Sequence, residues 1–229
     1  MQRGFQSTRV WIFDLDNTLY PSACNLFAEV DRRMGAFIAR LLDVPLEHAR
    51  YLQKSYYHDY GTTLTGLIKL HKIDPHAFLD YVHDIDLAPV SEAPQLAAAL
   101  AALPGRRIIY TNGSRHHAER VAGKLGVLHL MEDICDIAAC EFIAKPSPEA
   151  FRRMTSLHGV KPAEAAMFED MPHNLEAPHA LGMTTVLVHS EYMDHPAQAQ
   201  MRKWTALPEH IHHATDDLTA FLANLSGGL

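Results

Sequence analysis

Short runs rich in Val, Ile and Phe alternate along the chain with longer segments whose apolar residues recur at three- and four-residue spacing. The short runs predict strands near residues 9–15 (RVWIFDL), 106–112 (RRIIYTN), 165–170 (AAMFED) and 184–189 (TTVLVH), with a weaker one at 133–139 (DICDIAA). The longer segments predict helices, each with a stop: SEAPQLAAALAALPG at Gly105, SRHHAERVAGKLG at Gly126 and SPEAFRRMTSLHG at Gly159. Strands alternating with helices indicate an α/β chain with a doubly wound parallel sheet, because parallel neighbours need crossover connections. Residues 21–90 break the alternation. Their segments NLFAEVDRRMGAFIARLLDV, LEHARYLQKSYYHDYG, TLTGLIKLHKI and HAFLDYVHDI are helical in period and hold no strand pattern. The expected organisation is a core from residues 1–20 and 91–229, interrupted by a helical cap subdomain at 21–90.

Four of the expected strand regions lead into polar groups. In WIFDLDNTLYP the first strand closes on Asp14 and Asp16, two apart and so on one face of an extended chain. Side-by-side carboxylates repel unless a cation or a proton intervenes, and Mg2+ suits carboxylate and phosphate oxygens. An Asp-rich turn capping the next helix fits the same text. The second strand ends in Thr111 and Asn112, which serve as donors to phosphate oxygens or as a helix-capping turn. EFIAKPSPEAF presents Lys145 before Pro146 and a Ser147-capped helix, and MFEDMPHN brings Glu169 and Asp170, with Asn174 as a supporting amide. Four carboxylates against the single fixed charge of Lys145 at one sheet edge call for a divalent cation.

These residue types suit phosphoryl transfer. A carboxylate such as Asp14 can attack phosphorus in line, while Asp16 protonates the leaving oxygen and then takes a proton from water. Thr111 and Lys145 would hold the remaining oxygens. Displacement of halide from carbon needs neither a proton donor nor Mg2+, so Asp16 favours a phosphate ester.

The ordered set DLDNT, Thr111, Lys145 and Glu169–Asp170 resembles the four motifs of the haloacid dehalogenase (HAD) superfamily of phosphohydrolases. The resemblance implies a Rossmann-like core, a mobile cap, Asp14 as nucleophile and Asp16 as general acid and base. It implies Mg2+ held by Asp14, by the Asp16 backbone and by Asp170, with Glu169 acting through water; Glu-Asp departs from the Asp pair of many relatives. DNTLYP, YYHDYGTTLTGL and TNGSRHHAERV further resemble the pyrimidine 5'-nucleotidase branch, through Tyr56, Tyr57, Tyr60, Gly61, Gly66, Leu67, His71, Thr111, Asn112, His117 and Arg120. That implies hydrolysis of UMP or CMP, with Tyr57, Tyr60, Thr62 and His117 as candidate substrate contacts. Aromatic residues at helical spacing also fit plain packing of a small subdomain. Phosphatases of sugar phosphates or phosphoglycolate, and phosphomutases, would keep the same core residues. Retention of both Asp14 and Asp16 speaks against a non-catalytic binding protein.

The formal charge of −7, without a basic block, argues against nucleic acid or an anionic membrane and leaves a small phosphorylated metabolite as partner. No run reaches the roughly 20 apolar residues of a membrane span, and no signal-peptide cleavage pattern precedes the first strand, so the cytoplasm is expected. Cys24, Cys135 and Cys140 are expected as buried, reduced thiols. His210, His212 and His213 in PEHIHHATDD have no acidic or Cys partner nearby that matches a metal site, and a solvated loop before the last helix is expected there.

Overall fold

The structure, a computed structural model, describes residues 4–190, 197 and 201–226. Strand β1 (Val10–Phe13) lies between β2 (Arg106–Tyr110) and β4 (Ala165–Glu169), with β3 (Asp133–Cys135) beyond β2 and β5 (Thr184–Val188) and β6 (His213–Thr215) beyond β4. The order is β3-β2-β1-β4-β5-β6, and every neighbouring pair is parallel. From β1 the chain builds outward through β2 and β3, then returns to place β4 on the other flank of β1. The crevice between β1 and β4 is therefore the point where a doubly wound sheet binds its ligand, outside the carboxyl ends of the strands.

Side chains alternate across this sheet as the two-residue period demands. Trp11 and Phe13 of β1 join Phe168 in one buried cluster, while Val10 and Ile12 join Met167, Ile108 and Phe151 in the other. Both faces are covered, which is why β1 reads as an unbroken apolar run. Helices α5 (Pro94–Ala102), α6 (Arg115–Leu125), α7 (Pro148–Leu157), α8 (Glu176–Ala180) and α9 (Leu218–Ser226) belong to this core. Ser114 and Ser147 cap α6 and α7 by accepting the amides of His117 and Glu149, and Gly126 ends α6 in the left-handed conformation.

Between β1 and β2 run α1 (Leu26–Leu42), α2 (Leu46–Tyr60), α3 (Thr63–His71) and α4 (Pro75–His83), with no strand among them. Their apolar residues, including Val30, Ile38, Leu67 and Phe78, are continuous with the sheet cluster that holds Trp11 and Phe13. Gly66 lets α3 lie directly on α2, since a Cβ there would meet the Tyr56 Cβ at 2.6 Å. That contact, with Tyr56 OH 2.8 Å from His71 Nε2, fixes the aromatic end of α2.

Several local expectations are corrected. The strand near 133–139 stops at Cys135. Helix α5 ends at Ala102, and Gly105 instead makes the tight turn into β2, at φ 86°. His210, His212 and His213 do not form a solvated loop: Thr185 Oγ1 donates to the His210 carbonyl at 2.8 Å and lies 2.7 Å from His212 Nδ1, and His213 opens β6. No apolar run marks this segment because β6 is a three-residue edge strand. Cys135 and Cys140 are buried and reduced, with sulfurs 3.7 Å apart, whereas Cys24 is partly exposed. No described helix is long and apolar enough to cross a membrane.

The Arg9 carbonyl accepts the Arg106 amide at 2.9 Å, and it is also what a Cβ on Gly105 would strike. Gly105→Ala is expected to destabilise the protein by about 1–3 kcal/mol, measured by urea denaturation.

Candidate active site

β1 ends at Phe13, opposite Phe168 of β4, so the next residues on the two strands, Asp14 and Glu169, stand side by side at the crevice. The Asp14 amide continues the ladder by donating to the Phe168 carbonyl at 2.9 Å. Asp14 and Asp16 thus lie beyond the strand, and the shared face expected from a strand period does not apply: their carboxylates go to different partners.

Lys145 is the hub of the first group. Its ammonium donates to Asp14 Oδ1 at 2.7 Å, to Glu169 Oε2 at 2.8 Å and to the Tyr110 carbonyl at 3.0 Å, which uses all three of its protons. Thr18 Oγ1 donates to the other Asp14 oxygen at 3.0 Å, and Asn174 Nδ2 to the other Glu169 oxygen at 2.7 Å. Asn112 accepts from the Lys145 amide at 2.9 Å and donates to the Lys145 carbonyl at 3.1 Å. The oxygen and one N–H of its amide thus brace the lysine loop. Thr111 is buried beside it, its hydroxyl accepting the Gly113 amide at 2.9 Å.

Asp14, Glu169 and Asp170 each place a carboxylate oxygen within 4.8 Å of the others. Burial, then the charge of Glu169, pushes the Asp14 carboxyl up from its ordinary 3.8 to about 7, although Lys145 pulls the other way. Burial also raises Glu169 against the pull of Lys145. Burial would lower the Lys145 ammonium, but the Asp14 and Glu169 charges outweigh it and hold the group well above its usual range. One ammonium does not balance this many buried carboxylates. An all-oxygen donor set with excess negative charge fits a hard divalent cation.

Asp16 is served separately. Its Oδ1 accepts from Tyr20 OH at 2.6 Å and from His117 Nε2 at 2.9 Å. Burial opposes its charge, but His117 and Tyr20 outweigh that and bring its pKa down to about 2. His83, at the end of α4, stacks on His117 with ring centroids 4.3 Å apart and 10° between planes. Its Nδ1 lies 3.0 Å from Ser114 Oγ, and burial, then His117, depresses its pKa to about 3, so it is neutral. The expectation that His117 touches substrate is corrected: it is 0% exposed, its donor turned to Asp16.

From the helical insertion, Tyr57 is exposed with its hydroxyl 3.5 Å from His173 Nε2. Burial, then the charges of Asp170 and Glu169, raises the Tyr57 hydroxyl. Tyr60, Lys69, Phe142, Lys145 and Ser147 line a cleft of about 480 Å³ between insertion and core. Thr62 spends its hydroxyl on the first turn of α3, accepting the Thr65 amide at 3.0 Å. Sequence reasoning missed Thr18, Tyr20, His83 and His173. The first two were within reach, since each follows its aspartate by four residues; nothing in the sequence pairs His83 with His117.

A carboxyl group raised by folding adds stability at low pH that is lost as pH climbs through its folded pKa. Asp14 therefore penalises the metal-free protein increasingly as pH climbs from about 4 to about 7, and by a constant amount above that. In EDTA, Asp14→Asn is expected to raise stability by roughly 1–3 kcal/mol near pH 8, and by little at about pH 4 or below, in thermal melts across pH.

A family model described as haloacid dehalogenase-like hydrolase matches residues 8–182. Phosphate metabolism protein 8 of Saccharomyces cerevisiae is 28% identical over 200 residues, covering 78% of this chain but only 61% of that protein's length. Among solved structures, a HAD phosphatase from Thermococcus onnurineus superposes with a TM-score of 0.61 at 16% identity, covering 96% of this chain and 99% of that one. L-2-haloacid dehalogenase from Xanthobacter autotrophicus does so with a TM-score of 0.55 at 15% identity, covering 96% and 97%. These structures share the fold, and the family match spans β1 to β4 and every acidic residue of the site. The chain belongs to the haloacid dehalogenase-like hydrolases.

Proposed function

We propose that the chain is a Mg2+-dependent phosphomonoesterase that works through an aspartyl-phosphate on Asp14 and acts on pyrimidine nucleoside monophosphates. The observation that carries the reading is the separation of the two aspartates: Asp14 belongs to the Lys145 and acidic cluster, while Asp16 is held apart by its own donors. Displacement of halide from carbon would need the first group only. Asp14, Asp170 and the backbone of Asp16 would hold the cation, with Glu169, engaged by both Lys145 and Asn174, behind them. Mg2+ would supply charge neutralisation between Asp14 and an incoming phosphate.

An Asp14 oxygen attacks phosphorus as the bond from phosphorus to the ester oxygen breaks, and that oxygen leaves with a proton from Asp16. In the second step Asp16 takes a proton from water, whose oxygen attacks phosphorus and releases Asp14. Tyr20 and His117 keep Asp16 ionised in the free protein, so the proton of the first step arrives with substrate, as on a phosphate monoanion. The four helices at 26–83 act as the cap that excludes water, in keeping with a division at 21–90. The pyrimidine assignment rests on the sequence resemblance, supported by Tyr60 and Phe142 in the cleft as surfaces for a planar base and by Tyr57 beside His173.

Phosphate release should be measured from UMP, CMP, AMP, glucose 6-phosphate, phosphoglycolate and p-nitrophenyl phosphate, with chloride release from 2-chloropropionate as a further arm. UMP and CMP are expected to lead, EDTA to abolish turnover, and Asp14→Asn to lower kcat by about 10³-fold or more. A sugar-only or flat profile would remove the nucleotide assignment, and chloride release in place of phosphate release would overturn the phosphatase reading.

A further inference from the structure

His117 is costly to keep where it is. It is fully buried, and its Nδ1 has no hydrogen-bond partner among the described residues, although an apolar side chain could fill the space without leaving a polar atom unpaired. Its other nitrogen explains its presence. An ionised carboxylate only accepts, so Nε2 carries the proton and donates it to Asp16 Oδ1. Tyr20 donates to the same oxygen, so both bonds fall on Oδ1, and among the described residues none engages Oδ2. The partly exposed carboxylate is thereby fixed in rotation with one oxygen free.

The plane of the His117 ring is itself set from the helical insertion. His83 stacks on it, and Arg120, one turn along α6 from His117, donates to the carbonyls of His83 and Ile85 at 2.9 and 2.8 Å. His83 Nδ1 also meets Ser114, the residue that caps α6. The end of α4, α6 and Asp16 therefore form one rigid chain of contacts.

We propose that His117 is a positioning residue that holds Asp16 for proton transfer to the departing ester oxygen, with His83 of the insertion fixing the His117 ring. This rests on the phosphatase reading given above. A proton donor matters for an alkyl leaving group and little for p-nitrophenolate, which departs without a proton; a purely structural defect would lower both reactions alike.

The test compares kcat/KM for the best alkyl phosphate of the panel and for p-nitrophenyl phosphate, in His117→Asn, His117→Gln and Asp16→Asn. The Gln amide reaches the place of Nε2, and the Asn amide is too short. His117→Asn is expected to lose on the order of 10²-fold on the alkyl ester and less than about threefold on the aryl ester, with His117→Gln recovering most of the loss. His117→Leu replaces Asn should that variant not fold. Equal losses on both esters, or Gln no better than Asn, would overturn the role of His117 while Asp16→Asn still shows the selective loss. If Asp16→Asn itself lowers both esters equally, the acid role of Asp16 fails and takes this inference with it.

Discussion

The structure depends on the burial of Asp14, Glu169 and Asp170 around the single ammonium of Lys145 at the carboxyl edge of the sheet. Such a cluster opposes folding by itself, because each carboxylate loses its hydration and repels the next. The fold answers with fixed donors: Thr18 to Asp14, Asn174 to Glu169, and a lysine whose backbone is clamped by Asn112. The remaining imbalance raises Asp14 and Glu169, and that imbalance is the driving force for a divalent cation.

Asp16 shows the opposite electrostatics two residues away. Its carboxylate is stabilised by Tyr20 and His117, so the two aspartates of one short motif are driven in opposite directions by their surroundings. In the proposed reading, this divergence separates the nucleophile, Asp14, from the proton carrier, Asp16. The insertion also reaches the site residues, since His83 packs on the histidine that holds Asp16, while Tyr57 lies 3.5 Å from His173, three residues beyond Asp170.

Much of this was legible in the sequence. The apolar run before Asp14 and its counterpart before Glu169 predicted acidic strand ends meeting at one sheet edge, and the register of β1 and β4 places those two residues together. The helical block at 21–90 stood out because it lacked any two-residue alternation. What escaped were features without a local signal. β6 is a short edge strand paired on one side, so it needs no apolar run. The pairing of His117 with Asp16 spans 101 positions and follows from how α6 leaves β2, which no local pattern encodes. Asn112 looked like a phosphate donor because its type and place fit one, and only the path of the Lys145 loop reveals that the oxygen and one N–H of its amide brace that loop.

The covalent role of Asp14 is the claim on which the rest turns. Acid quenching during turnover of UMP with Mg2+, followed by peptide mass spectrometry, measures it directly. The account predicts one phosphoryl group on the peptide that contains Asp14, absent in Asp14→Asn. Steady turnover with no phosphorylated peptide, or a phosphoryl group on another residue, would contradict it.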